Sequence, residues 1–216
     1  MALTESPDCG LVFYTNPMSR GRIVRWMLEE TGADYRQVLL AYETEMKAPD
    51  YLAINPMGKV PAITHKGHVV TECAAICAYL ADTFPDAGLA PAPMDRADYY
   101  RWLFFAAGPL EAALVNHSLK VTVRQEQQRM VGYGNYDLTL DTLALAVSGS
   151  GYVAGDRFTA ADVYVGAHIL WGMQFGSLPR RPEFEAYAAK LANRPALVAA
   201  QALDNQLAET MPAQDL

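Results

Sequence analysis

Residues 55–63 read Asn-Pro-Met-Gly-Lys-Val-Pro-Ala-Ile and place Pro61 at the entrance to an apolar, β-prone segment. A proline there cannot donate a ladder hydrogen bond, and an X-Pro bond can adopt the cis form that turns a chain sharply. Ten residues later, Thr71-Glu72-Cys73 opens a helical pattern, and the free N–H groups at such a helix start can bind a carboxylate. Together the two features predict a binding site for an anionic group.

The segments around this stretch alternate between strand and helix patterns. The predicted elements are a strand at 11–14, a helix at 19–32, a strand at 35–40, a polar and weakly helical stretch at 43–54, a hairpin at 60–64 and 68–70, and a helix at 73–83. The order β-α-β-α-β-β-α predicts a mixed sheet with helices on its faces. We therefore expect an α/β domain over residues 10–84.

The proline-rich segment 85–95 cannot continue a helix and predicts a linker. Beyond it, we find helical periodicity and no strand pattern. The predicted helical stretches are 96–118, 121–148, 159–176, and two short helices within 181–206. The sequence therefore predicts an all-α domain over residues 96–210.

Composition excludes several classes of protein. Of the 216 residues, 51% are hydrophobic and 19% charged, which is typical of a chain with a substantial core. The net charge is −7 with no basic block, so we expect no nucleic-acid partner. Apolar runs are short, and residues 1–10 lack a signal-peptide pattern, so we expect a cytoplasmic protein without a membrane span. Three cysteines without a CxxC motif favour neither a disulfide framework nor a metal site.

Three motifs resemble signatures of the cytosolic glutathione transferase family: residues 55–63, the helix opening at 71–80, and Phe-Thr-Ala-Ala-Asp at 158–162. The resemblance covers about residues 10–205 and is nearest to bacterial, serine-type members. It implies a thioredoxin-like N-terminal domain, an all-helical C-terminal domain, and glutathione as co-substrate. The implied reaction joins the glutathione thiolate to electrophilic, largely apolar small molecules.

The resemblance assigns one part of the glutathione site to the 55–63 stretch and its surroundings. In the family, a cis-proline, here Pro61, exposes the backbone of the preceding residue, here Val60, which pairs with the cysteinyl part of glutathione. The resemblance also implies that Lys59, and secondarily Lys47, are cations near the expected position of the glycyl carboxylate.

The second part of the implied site is the helix opening at Glu72 and Cys73. Glu72 would take the γ-glutamyl ammonium, while Cys73 and the helix N-terminus would hold the γ-glutamyl carboxylate. The sequence departs from the family at Cys73, where a serine is usual. A thiol is a weaker hydrogen-bonding group than a hydroxyl, so the backbone N–H of Cys73 should carry more of this contact.

The chemistry requires a thiolate, whereas a free thiol has a pKa of about 8.5. A hydrogen-bond donor close to a helix N-terminus favours the ionised form. By similarity to the serine-type classes we favour Ser19, at the predicted N-cap of the first helix. Tyr14, inside the first strand, and Asn16 resemble the donors of other classes, and no motif decides among the three.

In the second domain, the resemblance implies an apolar electrophile site among the aromatic residues near position 100, to which we assign Tyr100 and Phe104. The spacing of Thr159 and Asp162 is that of a capping box that begins a helix. The apolar second domain and the linker also favour a homodimer.

Two other functions remain open from the sequence. The first is glutathione-dependent peroxide or disulfide reduction, which uses a cysteine at the start of the first helix, where this chain has Met18, Ser19 and Arg20. The second is a non-catalytic module that binds glutathione or a hydrophobic ligand, because one fold can serve several functions.

Overall fold

The computed structural model describes residues 10–211. Residues 1–9, which include Cys9 and the segment tested above for a signal peptide, lie outside the described residues, as do 212–216. The described residues form two compact units, of which one contains residues 10–87 and 194–211, and the other is Gly88–Asn193. Among the described residues, no helix has the length and apolar character needed to cross a membrane.

A four-stranded mixed sheet forms the centre of the first unit, in the order β2-β1-β3-β4. Strand β1 runs parallel to β2 and antiparallel to β3, and β3 and β4 form an antiparallel hairpin. The bounds are β1 (Leu11–Thr15), α1 (Gly21–Thr31), β2 (Arg36–Leu39), α2 (Pro49–Leu52), β3 (Ala62–His65), β4 (His68–Thr71) and α3 (Cys73–Thr83). The predicted element order and the thioredoxin-like fold are confirmed.

The two faces of the sheet carry different side chains. Successive residues of a strand point to opposite faces, so Phe13 and Tyr14 of β1 lie on different sides. Phe13 is fully buried and lies under the guanidinium of Arg25 from α1. Tyr14 packs on the other face, against an apolar cluster that we call the loop-side cluster. Its buried members are Leu40, Met46, Tyr51 and Ala62.

The second unit is built from helices, as predicted. Its helices are α4 (Ala97–Phe105), α5 (Glu111–Ser118), α6 (Tyr136–Val147), α7 (Ala160–Phe175) and α8 (Pro182–Leu191). A single π-helical turn, Ala106–Leu110, joins α4 to α5 and accommodates Pro109.

One stretch of the second unit differs from the prediction. The helical pattern expected over 121–148 is helical only from Tyr136, and residues before it form turns that include a short 3₁₀ turn at Gln125–Gln127. The β-branched run at 121–123 and the glycines at 132 and 134 have low helix propensity, which accounts for the shortened helix.

The last helix, α9 (Pro195–Thr210), belongs to the first unit, although the sequence placed it in the domain 96–210. It is also longer than the short helix predicted there. Nε of Arg25 in α1 lies 2.7 Å from the Asp204 carboxylate in α9, and both side chains are almost completely buried. Arg194 makes two hydrogen bonds of 2.7 Å to Glu30. These pairs join residues that are more than 160 positions apart, which explains why sequence patterns missed them.

The capping box at the start of α7 is confirmed, and its Asp162 also accepts hydrogen bonds from outside the Thr159–Asp162 motif. Asp162 is fully buried and accepts hydrogen bonds from the backbone N–H and the hydroxyl of Thr159, at 2.7 and 3.0 Å. Its other oxygen accepts from the Val153 N–H at 2.8 Å and from the Tyr187 hydroxyl. Burial raises the pKa of Asp162, while these donors act in the opposite direction. The carboxylate therefore joins a loop, a helix start and α8.

Replacing Asp162 with alanine should lower the free energy of unfolding by about 2–4 kcal/mol, because several buried donors lose their acceptor together. Asp141→Ala is the matched control, since that carboxylate is exposed and pairs with Arg181 at 2.7 Å, and we expect a loss of about 1 kcal/mol or less. Urea unfolding of both variants measures the difference. Equal losses of unfolding free energy in the two variants would contradict this contribution of the buried Asp162 carboxylate.

Candidate glutathione site

The loop between β1 and α1, residues 16–20, is held in place by the side chain of Asn16. This residue is fully buried; its Nδ2 donates to the Leu40 carbonyl at 3.0 Å and its Oδ1 accepts from the Met18 N–H at 2.9 Å. The loop is thereby attached to the residue that follows β2, and its path is fixed before α1 begins.

Ser19 lies one residue before the N-cap of α1, although the sequence predicted that it would be the N-cap itself. The N-cap of α1 is Arg20, and the predicted N-cap at Ser19 is therefore wrong. The Ser19 hydroxyl donates to the Asn16 carbonyl at 2.7 Å and accepts from the Gly21 N–H at 2.9 Å. Because the hydroxyl closes a turn that begins at Asn16, the helix starts two residues after Ser19.

This arrangement allows the Ser19 hydroxyl to turn toward a ligand. The Asn16 carbonyl also accepts from the Ser19 N–H at 3.1 Å, so it keeps a partner when the hydroxyl rotates away. The rotation therefore leaves no buried acceptor without a hydrogen bond, which is the costly outcome in such a change. Ser19 is half-buried, so its side chain is partly open to solvent.

The other two candidate donors occupy different positions. Tyr14 packs on the loop-side cluster, with its ring centroid 5.7 Å from that of Tyr51. Asn16 uses its amide to hold the loop, as described above. Tyr14 thus contributes its ring to the packing of the sheet, and Asn16 contributes its amide to the loop.

The turn at residues 55–60 is fastened by three side chains. The Tyr51 hydroxyl and the Asn55 amide donate to the Lys59 carbonyl at 2.6 and 2.8 Å, and Lys47 Nζ donates to the Gly58 carbonyl at 2.8 Å. The predicted cis Val60–Pro61 bond is present directly after this turn. Lys47 therefore supports the turn, while the side chain of Lys59 is exposed.

Two residues that support this turn were missed by the sequence interpretation. Burial raises the pKa of Tyr51 to about 12, so its hydroxyl keeps its proton and remains a donor at neutral pH. Asn55 was visible as the first residue of the quoted motif, but its role depends on contact with Lys59, four residues later. Tyr51 lies outside the motif and left no signal.

The start of α3 has an unusual backbone conformation. Glu72 has a φ of 64°, a region that residues other than glycine rarely adopt, and it forms no side-chain cap on the helix. Strain of this kind persists only where the surrounding structure requires it, and it is frequent at functional sites. The exposed carboxylate of Glu72 therefore stands beside the helix start without closing it.

The helices α1 and α3 begin side by side. Sγ of Cys73, the first residue of α3, lies 3.7 Å from the carbonyl oxygen of Arg20, which directly precedes α1. Ser19, Glu72 and Cys73 are thus brought to one place. The partial positive charge of two helix N-termini favours a carboxylate or a thiolate. Residues 10–211 contain no cluster of three His, Cys, Asp or Glu side chains that could hold a metal ion.

Comparisons with known proteins show the family of this chain. Residues 10–82 match the family model described as glutathione S-transferase, N-terminal domain. Glutathione S-transferase GstA of Escherichia coli O157:H7 is 31% identical over 183 residues, covering 78% of this chain and 86% of the relative. The chain belongs to the glutathione S-transferase family. Two solved transferases share the fold, as follows.

A sphingomonad glutathione S-transferase complexed with glutathione has a TM-score of 0.73 and 30% identity, covering 90% of this chain and 98% of that one. The bacterial beta-class glutathione S-transferase of Sphingomonas chungbukensis has a TM-score of 0.72 and 28% identity, covering 89% and 98%. The thioredoxin-like and helical parts described above are thus those of a glutathione S-transferase.

The two residues predicted for the electrophile site lie on α4 in the second unit of this transferase. Tyr100 is 42% exposed and Phe104 is 71% exposed, and their ring centroids are 6.4 Å apart. The neighbouring Tyr99 is buried, and its ring centroid lies 5.4 Å from that of Tyr100. The two exposed rings form an apolar surface, and their contact with an electrophile stays a prediction.

Gly21→Ala tests how closely β1 and the start of α1 approach each other. A Cβ at Gly21 would lie 1.9 Å from Thr15 Oγ1 and 2.9 Å from Ser19 Oγ, so we expect a destabilisation of about 1–3 kcal/mol and weaker glutathione binding. Gly108→Ala is the control, because a Cβ there meets nothing within 4 Å. Thermal unfolding and calorimetric titration measure both effects, and a Gly21→Ala protein as stable as Gly108→Ala would contradict this geometry.

Proposed function

We propose that this transferase joins the thiolate of glutathione to electrophilic, largely apolar small molecules, with the Ser19 hydroxyl donating a hydrogen bond to the sulfur. The observation that carries the proposal is the contact between Cys73 and the Arg20 carbonyl, which brings the start of α3 beside the loop that bears Ser19. Membership of the glutathione S-transferase family supports it.

The γ-glutamyl part of glutathione is assigned to the start of α3. The exposed Glu72 carboxylate takes the ammonium, and the N–H groups that begin at Cys73 take the carboxylate. The Cys73 thiol points to the Arg20 carbonyl. The backbone N–H of Cys73 therefore replaces what a serine hydroxyl would contribute at this position.

The rest of the tripeptide is assigned to the turn before β3. The Val60 peptide, next to Pro61, pairs with the cysteinyl residue, and Lys59 faces the glycyl carboxylate. Lys47 contributes its charge while it holds the Gly58 carbonyl. These assignments place two cations and a helix N-terminus near an anionic ligand in a chain whose net charge is −7.

The reaction itself needs a thiolate in a fixed position. The partial positive charge of the helix N-termini and the Ser19 hydrogen bond both stabilise S⁻ relative to SH, so the pKa of the bound thiol falls below its free value of about 8.5. The sulfur lone pair then forms a bond to carbon, and the leaving group departs or the product takes up a proton. Positioning and charge stabilisation supply the catalysis.

The proposal also covers the electrophile, which we assign to α4, and the oligomeric state of the protein. Tyr100 and Phe104 are assigned to the electrophile, since exposed aromatic rings suit an apolar molecule. A homodimer and a cytoplasmic location are part of the same proposal.

The reductase alternative needs a reactive cysteine at the start of α1, where the chain has Ser19, Arg20 and Gly21. Burial raises the pKa of the Cys77 thiol well above its ordinary value, so this cysteine is suited to packing rather than reaction. The family membership together with the Ser19 geometry therefore favours conjugation over reduction. The non-catalytic alternative is tested by the first experiment below.

Ser19→Ala should raise the pKa of the bound glutathione thiol and lower kcat/KM by about tenfold to a hundredfold, because the sulfur loses its hydroxyl donor. The ultraviolet absorbance of the thiolate, followed across pH in the glutathione complex, measures the pKa. An activated aryl halide measures kcat/KM.

Ser148→Ala is the control for this experiment, because the Ser148 hydroxyl also donates to a backbone carbonyl, that of Ala144 at 2.6 Å, in the second unit. It should change neither quantity. An unchanged thiol pKa in Ser19→Ala would contradict the role of Ser19, and a wild type whose bound thiol titrates like free glutathione would support the non-catalytic module instead.

Glu72→Gln should weaken glutathione binding by about tenfold or more, because the ammonium loses a charged partner. Glutathione that lacks the glutamyl amino group provides the matched probe and should bind equally to wild type and Glu72→Gln. Calorimetry measures both ligands, with Glu209→Gln on α9 as an exposed control. Equal losses for both ligands would show that Glu72 acts on something other than the ammonium.

A further inference from the structure

The peptide groups of Met18, the residue directly before Ser19, are held at both ends by side chains. Its N–H donates to Asn16 Oδ1 at 2.9 Å, and its carbonyl accepts from the Tyr42 hydroxyl at 3.0 Å. The Met18 carbonyl and the Ser19 N–H belong to one planar peptide group. The hydrogen bond from Tyr42 therefore fixes the orientation of this peptide, to which the Cα of Ser19 is attached.

Tyr42 is itself well anchored. Its ring packs against the loop-side cluster, and it follows Leu40, whose carbonyl holds Asn16. The two side chains that hold the backbone of Met18, those of Asn16 and Tyr42, are therefore both attached to the segment after β2.

The Tyr42 hydroxyl is suited to act as a donor. Burial raises the pKa of Tyr42, while the Arg20 charge and a hydrogen-bonding contact with the Ser19 side chain act in the opposite direction. The hydroxyl thus keeps its proton at neutral pH. It lies close enough to the Ser19 side chain for a change at one residue to affect the other.

We propose that Tyr42 is a positioning residue for the transfer reaction, acting through Ser19. This inference rests on the function proposed above. When glutathione binds, the Ser19 hydroxyl leaves the Asn16 carbonyl for the sulfur, and its new direction depends on how rigidly the Met18–Ser19 peptide is held. The hydrogen bond from Tyr42 keeps that peptide in place, so that the hydroxyl meets the sulfur with good alignment, on which hydrogen-bond strength depends steeply.

A double-mutant cycle separates this role from a general effect on stability. The four proteins are wild type, Tyr42→Phe, Ser19→Ala and the double variant, because phenylalanine keeps the ring in the cluster and removes only the hydroxyl. The readouts are the pKa of the glutathione thiol in the complex, kcat/KM with an activated aryl halide, and the melting temperature.

Tyr136→Phe provides the matched control. Tyr136 is also partly buried, and its hydroxyl donates to a backbone carbonyl, that of Ser177 at 2.8 Å, in the second unit. The two Tyr→Phe variants should lose similar amounts of melting temperature. A purely structural role for Tyr42 would thus make them alike in every readout.

We expect Tyr42→Phe to raise the bound thiol pKa and to lower kcat/KM by about threefold to tenfold, with glutathione affinity near that of wild type. In the Ser19→Ala background the same substitution should have no further effect on the thiol pKa. Tyr136→Phe should leave both quantities at the wild-type value.

Different results separate the failure of this inference from failure of the proposed function. If Ser19→Ala raises the thiol pKa and Tyr42→Phe does not, the role of Tyr42 is overturned and that of Ser19 stands. If the two effects add in the double variant, Tyr42 acts independently of Ser19 and the inference is also overturned. If Ser19→Ala leaves the pKa unchanged, both the inference and the assignment of Ser19 fall.

Discussion

The side chain of Asn16 provides the constraint on which the site depends. It is completely buried, ties the end of β1 to the Leu40 carbonyl, and sets the path of the loop through the Met18 N–H. Its own carbonyl then receives both the hydroxyl and the N–H of Ser19. Losing this side chain would leave buried donors and acceptors without partners, which costs more than the hydrogen bonds themselves contribute. The buried amide of Asn16 thereby determines the path of the loop that carries Ser19.

The second requirement is the close approach of two helix starts. Glycine at position 21 lets α1 begin against Thr15, and Cys73 brings α3 to the Arg20 carbonyl. Glu72 adopts a strained backbone conformation, and its carboxylate does not cap α3. The strain therefore lies where we expect a ligand to bind. In a chain of net charge −7, the partial positive charge of these helix starts favours an anion locally.

The sequence was sufficient for features that local chemistry determines. Pro61 and its neighbours predicted the turn before β3, the glycine between two β-prone runs predicted the hairpin, and the Thr159–Asp162 spacing predicted a capped helix. These features depend on residues within a few positions of one another. The sequence misplaced the start of α1, because a serine can close a turn before a helix as well as cap it.

Features that depend on distant contacts were not predictable from one sequence. The pairing of Arg25 with Asp204 assigns α9 to the first unit, yet neither residue stands in a pattern that distinguishes it from an exposed charge on a helix. Burial of this pair raises the pKa of Asp204 even though the Arg25 guanidinium favours its charged form. Tyr42 and Tyr51 likewise received their roles from contacts with loops that the periodicity of the chain does not specify.

A crystal structure of the protein with bound glutathione would test the central claim most directly. We expect the sulfur to lie above the start of α1, with Ser19 Oγ within about 3.5 Å of it and rotated away from the Asn16 carbonyl. The γ-glutamyl carboxylate should then lie at the N–H groups that begin at Cys73. A complex in which Ser19 keeps its bond to Asn16 while the sulfur contacts Tyr14 or another donor would contradict the proposed site.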